Sequence, residues 1–444
     1  MQNYPNSTPV EVFARRRRRL LETIDGVAIL RAAPQALRNR DSYYPYRYDS
    51  YFWYLTGFTE PDAALVLISA DSQRGEAAQS IFFCQPKNAE KERWKGYRYG
   101  PQAASEAFAF DAAYPIEELE KRLPDLLANH QNLWYTMGAD HKWDSQLAEV
   151  LQNLRTQARQ GKRAPYCIRD VSYALDALRQ IKEANEIQLM QRAADITCQA
   201  HERVMRVCQP GMAEYQLEAE LTHAFRYAGA DGHAYPPIVA GGANACVLHY
   251  VNNNAPLPDD AMVLIDAGCE LEGYAADVTR TFPVNGVFSA AQRDCYEIVL
   301  AAQAAAIAAI VPGAPFHAGH QAALRVLAQG MIDLGLLQGS VDAQIESAAY
   351  QRFYMHRTSH WLGLDVHDAG LYHVGDESLP LSEGMVMTVE PGLYIPNETD
   401  LPPALAGVGI RIEDDVRVGK QGGEVYSNAA KQIADIEDLM RATK

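Results

Sequence analysis

Apolar residues in the N-terminal part of the chain occur in short runs that alternate with helical patterns. Five runs have the β-branched and aromatic character that is typical of strands: GVAILRAA, YFWYLTGF, AALVLISA, SIFFCQP and NLWYTMG. The segment EELEKRLPDLLANH and residues 144–155 have helical spacing instead. Because strands and helices alternate, we predict an α/β domain over residues 1–175.

Residues 176–444 follow a different pattern, in which long helical stretches are separated by groups of short β-rich segments. Helical spacing covers residues 183–207, 213–227 and 317–334, and Ser289 opens a further helix as a capping-box residue. The β-rich segments are PPIVAGG, CVLHYV, AMVLIDAG, YAADVTRTF, GMVMTVEP, GLYIP and GIRIEDDVRV. This order predicts an α+β domain, and its two rounds of helices and strands hint at an internal duplication.

Composition and charge narrow the class of protein. At 444 residues the chain exceeds the usual size of one domain, and a polar Gly/Pro stretch places the domain connection within residues 160–180. The formal charge of −16 argues against non-specific nucleic-acid binding. The seven cysteines are scattered without a CxxC pair, and no apolar run suits a signal peptide or a membrane span. We therefore expect a reduced, cytoplasmic protein that binds neither nucleic acid nor membrane.

Two local patterns are compatible with nucleic-acid binding but have simpler interpretations. Five consecutive arginines, Arg15 to Arg19, fit the polar face and last turns of a helix that starts near Thr8 and Pro9. The tyrosine-rich segment 43–54 resembles a base-stacking platform, but strand packing and a subunit contact are more economical in an acidic protein. Neither pattern changes the expectation drawn from the net charge.

Two aspartates stand eleven positions apart in MVLIDAGCELEGYAADVTRTF, at Asp266 and Asp277. The apolar runs on either side of Gly268 and Gly273 predict a β-hairpin or meander. Such a turn returns Asp277 beside Asp266 on the neighbouring strand. Taken alone, Asp266 also suits a turn, and each aspartate has a structural explanation.

Three more candidate ligands follow in apolar surroundings: His360 in HRTSHWLG, Glu390 in VMTVEPGLY and Glu413 in GIRIEDDV. Taken alone, a core histidine and a solvated strand face explain them. Together with the two aspartates they make four carboxylates and one imidazole, which are costly to bury without partners. Two divalent cations would neutralise four carboxylates charge for charge. A zincin-like helix is excluded, because Arg357 follows His356 where that motif requires glutamate.

These segments resemble the pita-bread metallopeptidases, the family of aminopeptidase P, prolidase and methionine aminopeptidase. The family's metal ligands fall in chain order on Asp266, Asp277, His360, Glu390 and Glu413. The resemblance is strongest to the aminopeptidase P group and covers nearly the whole chain. The matching segments are SYYPYRYDSYFWYLTGFTEP, ILRAAP, ALVLIS, LIDAG, DVTRTFPVNG, SHWLGLDVHD, TVEPGLYI and GIRIEDD. One departure is Arg357, where related sequences often carry glycine.

The resemblance implies an α/β N-terminal aminopeptidase P domain (residues 1–175) and a pita-bread catalytic domain (residues 176–444) with a curved, mostly antiparallel sheet and flanking helices. It implies hydrolysis of the bond between any N-terminal residue and a penultimate proline, in a homo-oligomer that is a dimer or tetramer. Carboxylate-rich ligation favours two Mn²⁺ ions, with Co²⁺ or Zn²⁺ as substitutes. The alternatives are a prolidase restricted to Xaa-Pro dipeptides and a non-catalytic pita-bread binding protein.

The resemblance also implies roles for individual residues. Glu390 would act as a general acid/base as well as a ligand. The expected catalytic residues besides Glu390 are His249, His356, His367 and Arg411, the last as a support of the ligand network. The expected substrate-binding residues are Tyr235 and Tyr394 in a proline pocket, with Trp94 and Arg155 from the N-terminal domain. For Trp94, an ordinary packed surface tryptophan is the alternative.

Overall fold

The computed structural model describes residues 7–72 and 75–442. The chain divides into two compact units between Leu178 and Arg179. The expected two-domain architecture is therefore confirmed. Among the described residues, no helix combines the length and apolar character that a bilayer crossing requires.

The N-terminal unit is built around a six-stranded mixed sheet. Its helices are α1 (Val10–Thr23), α2 (Ser50–Thr56), α3 (Ala89–Lys95), α4 (Gly100–Phe108), α5 (Leu119–Leu127), α6 (His141–Thr156) and α7 (Ser172–Gln180), which crosses the division. Its strands are β1 (Val27–Arg31), β2 (Leu37–Asn39), β3 (Ser42–Tyr43), β4 (Ala64–Ile68), β5 (Gln79–Cys84), β6 (Ala112–Pro115), β7 (Asn132–Trp134) and β8 (Cys167–Arg169). The sheet order is β6-β5-β4-β1-β7-β8, with β4 antiparallel to both neighbours and the other pairs parallel. The α/β expectation for this unit is confirmed.

Alternate residues of the central strands bury one face of this sheet against α5 and α6. Leu119, Leu123 and Leu127 repeat every four residues on α5 and lie in the same apolar cluster as Val27 and Ile29 of β1. A spacing of four places side chains on one helix face, and a spacing of two places them on one sheet face. The core of this unit therefore follows directly from the two sequence periods.

The prediction of a strand at YFWYLTGF is wrong, because this segment forms α2. The Asp49 side chain accepts a hydrogen bond from Phe52 N at 2.8 Å, which caps the helix start, and Gly57 ends the helix in the left-handed conformation with φ 66°. Helix α2 carries apolar side chains on more than one face, and Phe52, Trp53 and Leu55 are all fully buried. Such a helix shows no amphipathic period and cannot be told from a buried strand by pattern.

The arginine run lies in α1 as expected, but two of its members are buried rather than solvated. Arg17 Nη1 donates to the carbonyl of Leu55 at 2.8 Å, and its Nη2 donates to Phe108 O at 2.9 Å. The Arg16 guanidinium lies 4.0 Å from the ring centroid of Tyr54. These carbonyls lie at the C-terminal ends of α2 and α4, where the helix dipole favours cations. The arginines therefore hold helices together.

The C-terminal unit combines helix pairs with small antiparallel sheets. Its helices are α8 (Ala184–Val207), α9 (Glu214–Tyr227), α10 (Ala290–Ala308), α11 (Ala318–Asp333), α12 (Val341–Glu346) and α13 (Ile433–Arg441). Its strands are β9 (Gly232–His233), β10 (Ile238–Gly241), β11 (Met262–Asp266), β12 (Cys269–Leu271), β13 (Tyr274–Ala275), β14 (Thr279–Pro283), β15 (His373–Val374), β16 (Glu377–Ser378), β17 (Val386–Val389), β18 (Gly392–Tyr394), β19 (Gly409–Arg411), β20 (Asp414–Val418) and β21 (Gly423–Val425).

The strands of this unit pair as β10-β11-β14, β13-β12-β9, β15-β16, β17-β20-β21 and β18-β19, and every pair among the described residues is antiparallel. Helix α8 packs against α9, and α10 packs against α11. The expected α+β layer of helix pairs and mostly antiparallel strands is confirmed.

The prediction of a strand at CVLHYV is wrong. A 3₁₀ turn at Gly242–Cys246 is followed by a turn that contains His249. Val247 and Val251 are 55% and 53% exposed, so the apolar run is not buried and pairs with no neighbouring strand in the described chain. Apolar character alone therefore misled the assignment here.

Candidate active site

The C-terminal unit contains a cavity of about 1030 Å³ into which all five predicted metal ligands face. Four carboxylates and one imidazole of this set line it: Asp266, Asp277, His360, Glu390 and Glu413. Asp277, His360 and Glu413 each offer a ligand atom within 4.8 Å of the other two. The residues that the sequence distributes over almost 150 positions therefore meet at one site.

The two aspartates come together through the pairing of β11 with β14. Asp266 ends β11 opposite Thr279, which opens β14 two residues after Asp277. Between them the chain crosses itself closely, since a Cβ on Gly268 would lie 1.7 Å from the carbonyl oxygen of Ala276. Only glycine fits there. The expected return of Asp277 beside Asp266 is confirmed.

Backbone hydrogen bonds fix the other three ligands relative to each other. Glu390 N donates to Thr358 O at 2.8 Å, and Glu413 N donates to Thr279 O at 3.0 Å. His360 Nε2 consequently lies 3.7 Å from Glu390 Oε1, and it lies 3.5 Å from Oδ2 of Asp277. The two glutamates are thus held by neighbouring segments, Glu390 directly after β17 and Glu413 between β19 and β20.

Arg411 supplies the fixed positive charge of the site. It donates from Nη2 to Asp266 Oδ2 at 2.5 Å, from Nε to Thr279 Oγ1 at 3.2 Å and from Nη1 to the Tyr394 hydroxyl at 3.0 Å. Thr279 connects Arg411 to a second ligand, because its hydroxyl donates a hydrogen bond to Glu413 Oε2 at 2.7 Å. One buried guanidinium therefore orients carboxylates on both sides of the site.

Hydrogen bonds fix the imidazole of His356 in one tautomer. Its Nδ1 lies 2.8 Å from the carbonyl oxygen of Arg357 and therefore donates, so Nε2 accepts from the Tyr394 hydroxyl at 2.8 Å. Burial, followed by the charge of Arg411, lowers the pKa of His356 to about 4. His356 is therefore neutral at physiological pH.

The four ligand carboxylates outnumber the positively charged side chains beside them, which are Arg411 and His360. Burial raises the pKa of Glu390 to about 7, and burial together with the charges of Asp277 and Glu390 raises the pKa of Glu413 well above its ordinary value. Although burial alone would lower it, Asp277 and Glu390 raise the pKa of His360 to about 9. Acidic oxygens in this number, with one imidazole and one guanidinium, are a donor set that fits divalent cations with oxygen preference.

The tyrosine hydroxyl that lies between the two aspartates also indicates a cation site. The hydroxyl of Tyr235 lies 2.6 Å from Oδ1 of Asp266 and 2.5 Å from Oδ1 of Asp277. A hydroxyl has one proton and can satisfy only one of two anionic oxygens. The pair therefore retains an excess of negative charge that a cation would offset.

The predicted histidines and tyrosines take different positions around the cavity. His249 and His367 line it, and the His367 ring meets the His360 ring edge-on at a centroid distance of 4.3 Å. Tyr235 lines it as well, whereas Tyr394 is not among the lining residues and lies buried behind His356. The side-chain nitrogens of His367 have no hydrogen-bond partner in the described chain, so this ring is available to a substrate.

Trp94 and Arg155 lie in the N-terminal unit, on α3 and α6. Trp94 is 85% exposed and Arg155 is also exposed, and neither lines the cavity. The alternative of a packed surface tryptophan does not describe Trp94. The substrate-binding roles of both residues stay predictions.

Several site residues escaped the sequence reasoning. Thr279 and Asp415 contact the ligands directly, since both oxygens of the Asp415 carboxylate accept from Asp277 N at 3.2 and 3.3 Å. His320 lines the cavity from α11 and bonds Thr358 Oγ1 through Nδ1 at 2.9 Å. The IEDD run was a usable signal for Asp415, but the helical pattern around His320 gave none.

Comparisons with known proteins identify the family of this chain. The model of metallopeptidase family M24 matches residues 188–420, and that of the aminopeptidase P N-terminal domain matches residues 13–135. A Xaa-Pro aminopeptidase of Haemophilus influenzae is 43% identical over 98% of this chain and 99% of its own, and one of Escherichia coli is 41% identical over 97% and 98%. The solved structure of Pseudomonas aeruginosa aminopeptidase PepP is 44% identical, with a TM-score of 0.95 over 98% of this chain and 99% of that chain. This chain belongs to metallopeptidase family M24 and carries the N-terminal domain of aminopeptidase P.

Proposed function

We propose that this protein is a metal-dependent Xaa-Pro aminopeptidase, which releases the first residue of peptides whose second residue is proline. The observation that carries the proposal is the cavity in which Asp266, Asp277, His360, Glu390 and Glu413 converge. Full-length relatives that are 41–43% identical bear the name Xaa-Pro aminopeptidase. The retention of all five ligands argues against a non-catalytic binding protein.

The five converging side chains would hold two divalent ions, with Mn²⁺ favoured by the oxygen-rich donor set and Co²⁺ or Zn²⁺ as substitutes. Such ions, when bound, polarise the scissile carbonyl and lower the pKa of a coordinated water. Arg411 and Thr279 would keep Asp266 and Glu413 in place for this task.

Glu390 is placed to move a proton between the nucleophile and the leaving nitrogen. Its carboxylate faces the cavity and lies 3.7 Å from both His356 Nδ1 and His360 Nε2. A carboxylate in such a position can act as a general acid/base. His367 would donate to the developing oxyanion, because its ring faces the cavity without a protein partner. His356 would instead fix the Tyr394 hydroxyl, since both of its ring nitrogens are engaged.

Selectivity for proline is consistent with the apolar part of the cavity wall. Pro236, Ile238, Leu248, Val251 and Val366 line it beside the charged residues. Proline lacks the amide hydrogen that most peptidases recognise, so a pocket must bind its ring by apolar contact. This wall offers such a surface next to the ligand set.

The proposal extends to the cellular setting and the assembly of the protein. All seven cysteines are free, which suits a reducing compartment, and we propose the cytoplasm. We also keep the prediction of a dimer or tetramer, which sedimentation velocity measures directly.

Hydrolysis of a peptide panel tests the proposed function. Purified protein with Mn²⁺ should release arginine from Arg-Pro-Pro, and it should leave a peptide with alanine at the second position intact. A chelator should stop the reaction. Cleavage of Xaa-Pro dipeptides without cleavage of the tripeptide would identify a prolidase instead. Unchanged activity after complete metal removal would refute the metal role.

A further inference from the structure

Arg357 is a cavity residue that the proposed reaction does not use. It lines the cavity between His356 and Thr358, and its side chain is exposed. Thr358 is fully buried and bonds the Tyr354 hydroxyl at 2.6 Å, so the backbone on this side is firmly held. The guanidinium of Arg357 forms no ion pair with any carboxylate in the described part of the chain. A free, permanently charged group therefore projects from a fixed segment.

Charge is distributed unevenly around the cavity. Every carboxylate among the described lining residues belongs to the metal-ligand set. The wall near Arg357 carries His317 and His320 instead. Burial, followed by the charges of Arg357 and His317, lowers the pKa of His320 to about 4, so Arg357 lies close enough to act on this wall. The carboxylates of the cavity are thus committed to the metal-ligand set, and the wall around Arg357 carries the only unpaired fixed cation among the described lining residues.

A short peptide carries a free carboxylate at its C-terminus, which is complementary in charge to Arg357. The first peptide bond must reach the metal-ligand set to be cut, which leaves the C-terminal side of the peptide free to extend along the wall that carries Arg357. We propose that Arg357 forms a carboxylate-binding subsite for the leaving peptide, which favours short substrates whose C-terminal carboxylate, or an acidic side chain, reaches the guanidinium. This inference rests on the proposed aminopeptidase function.

The expected effect is modest, because the guanidinium is exposed to solvent. Ion pairs of this kind improve binding by about threefold to fivefold and weaken as salt increases. The contact exists in the ground state and in the transition state alike, so it acts on KM rather than on kcat. A change in kcat would indicate a different role.

Pairs of peptides that differ only at the C-terminus test the subsite. Ala-Pro-Ala and its longer homologues are compared as free acids and as C-terminal amides, with wild type, Arg357→Gln and Arg357→Lys, at low salt and with added salt. Wild type should favour the acid by about threefold to fivefold in kcat/KM at the length that reaches the guanidinium. Arg357→Gln should lose this preference through a higher KM for the acid alone, and Arg357→Lys should keep part of it.

Arg352→Gln is the matched control. Arg352 is an exposed arginine five residues away that pairs with Glu398 and Asp400 and does not line the cavity. Its replacement removes the same charge and should leave the acid preference intact. Loss of the preference in this variant would show that net charge, and not a subsite, is responsible, and would overturn the proposal.

Further peptides separate the sources of the carboxylate. An amidated peptide with aspartate in the leaving part should recover the preference if an acidic side chain also reaches Arg357. A preference that follows an acidic first residue, or equal loss of acid and amide hydrolysis in Arg357→Gln, would contradict the subsite. The amides also keep the two proposals apart. If wild type cleaves neither the acids nor the amides, the aminopeptidase function fails, whereas efficient cleavage of both with no acid preference at any length overturns only the subsite.

Discussion

The guanidinium of Arg411 donates a hydrogen bond from Nη2 to Oδ2 of Asp266 across 2.5 Å. The same guanidinium bonds Thr279 and Tyr394, which in turn bond Glu413 and His356. A single planar cation thus sets the positions of two expected metal ligands and of one cavity histidine. The geometry depends on a fork of donors, and not on charge alone.

Arg411→Lys tests this dependence. Lysine keeps the charge but cannot donate in three fixed directions, so we expect kcat/KM to fall by about 10- to 100-fold, the effect of losing one or two hydrogen bonds to charged groups. Hydrolysis of a Xaa-Pro peptide and metal content by mass spectrometry are the measurements. Arg417→Lys on β20 is the control, because the ion pairs of Arg417 with Glu424 and Glu383 are longer, at 3.7 and 4.0 Å, and Arg417 does not line the cavity. Equal activity of the two variants would contradict the prediction.

Metal removal should change stability in a pH-dependent way. Without a cation, burial raises the pKa of Glu390 to about 7 and that of Glu413 well above its ordinary value. The folded metal-free protein then binds more protons than the unfolded chain, so its stability falls as pH rises from about 5 to about 8. Metal at 100 times its Kd should restore about 2.7 kcal/mol per site. Urea unfolding with chelator and with Mn²⁺ at both pH values measures this, and a pH-independent chelator effect would argue against the buried carboxylate cluster.

Gly268→Ala should disrupt the crossing that brings the two aspartates together. The new methyl group would lie 1.7 Å from Ala276 O, so the hairpin must shift. We expect a loss of about 3 kcal/mol in stability and a marked fall in metal affinity. Thermal unfolding and metal titration check both effects. Gly422→Ala is the matched control, because its nearest contact would be an ordinary 3.6 Å. Retained metal affinity in Gly268→Ala would show that the hairpin yields without separating the aspartates.

Asp368→Asn should destabilise the segment that carries His367. Arg179 Nη2 and Lys182 Nζ lie 2.5 and 2.9 Å from the Asp368 carboxylate, and the three side chains are almost completely buried. Neutralising the shared anion removes the ion pair of buried Lys182 and one of the two ion pairs of Arg179, whose other partner is Asp365 at 2.8 Å, which costs about 3–5 kcal/mol. Asp342→Asn removes an exposed ion pair with Arg325 and should cost less than about 1 kcal/mol. Urea unfolding compares the two variants with wild type.

The same ion pairs predict an acid dependence. Although burial alone would raise it, Lys182 and Arg179 hold the pKa of Asp368 below its ordinary value. The stabilisation is therefore complete above about pH 4 and is lost as pH falls through the lowered folded-state pKa. The difference in unfolding free energy between wild type and Asp368→Asn should shrink as pH is lowered from 6 towards 3. A difference that stays constant over this range would contradict the assignment.

The sequence indicated the candidate metal ligands correctly as a group, because several carboxylates in apolar segments are costly to bury and have few explanations other than a metal site. The sequence did not predict the contacts of Arg16 and Arg17, whose partners are carbonyls at the ends of distant helices. It also misassigned α2, which has apolar residues on more than one face. Prediction from sequence depends on the periodic spacing of apolar residues, and neither the arginine contacts nor α2 produces such a spacing.

Local periods and costly polar residues let the sequence by itself determine the two-domain class, most strands and helices, and the identity of the candidate ligands. Only the tertiary structure decided which side chains form ion pairs and hydrogen bonds with each other. It placed Thr279 and Asp415 against the ligands, engaged both nitrogens of His356, left His367 open to the cavity, and exposed Arg357 on the wall. The physical reason is that hydrogen bonds and burial between segments distant in sequence depend on distances of a few ångströms, which spacing along a chain does not encode.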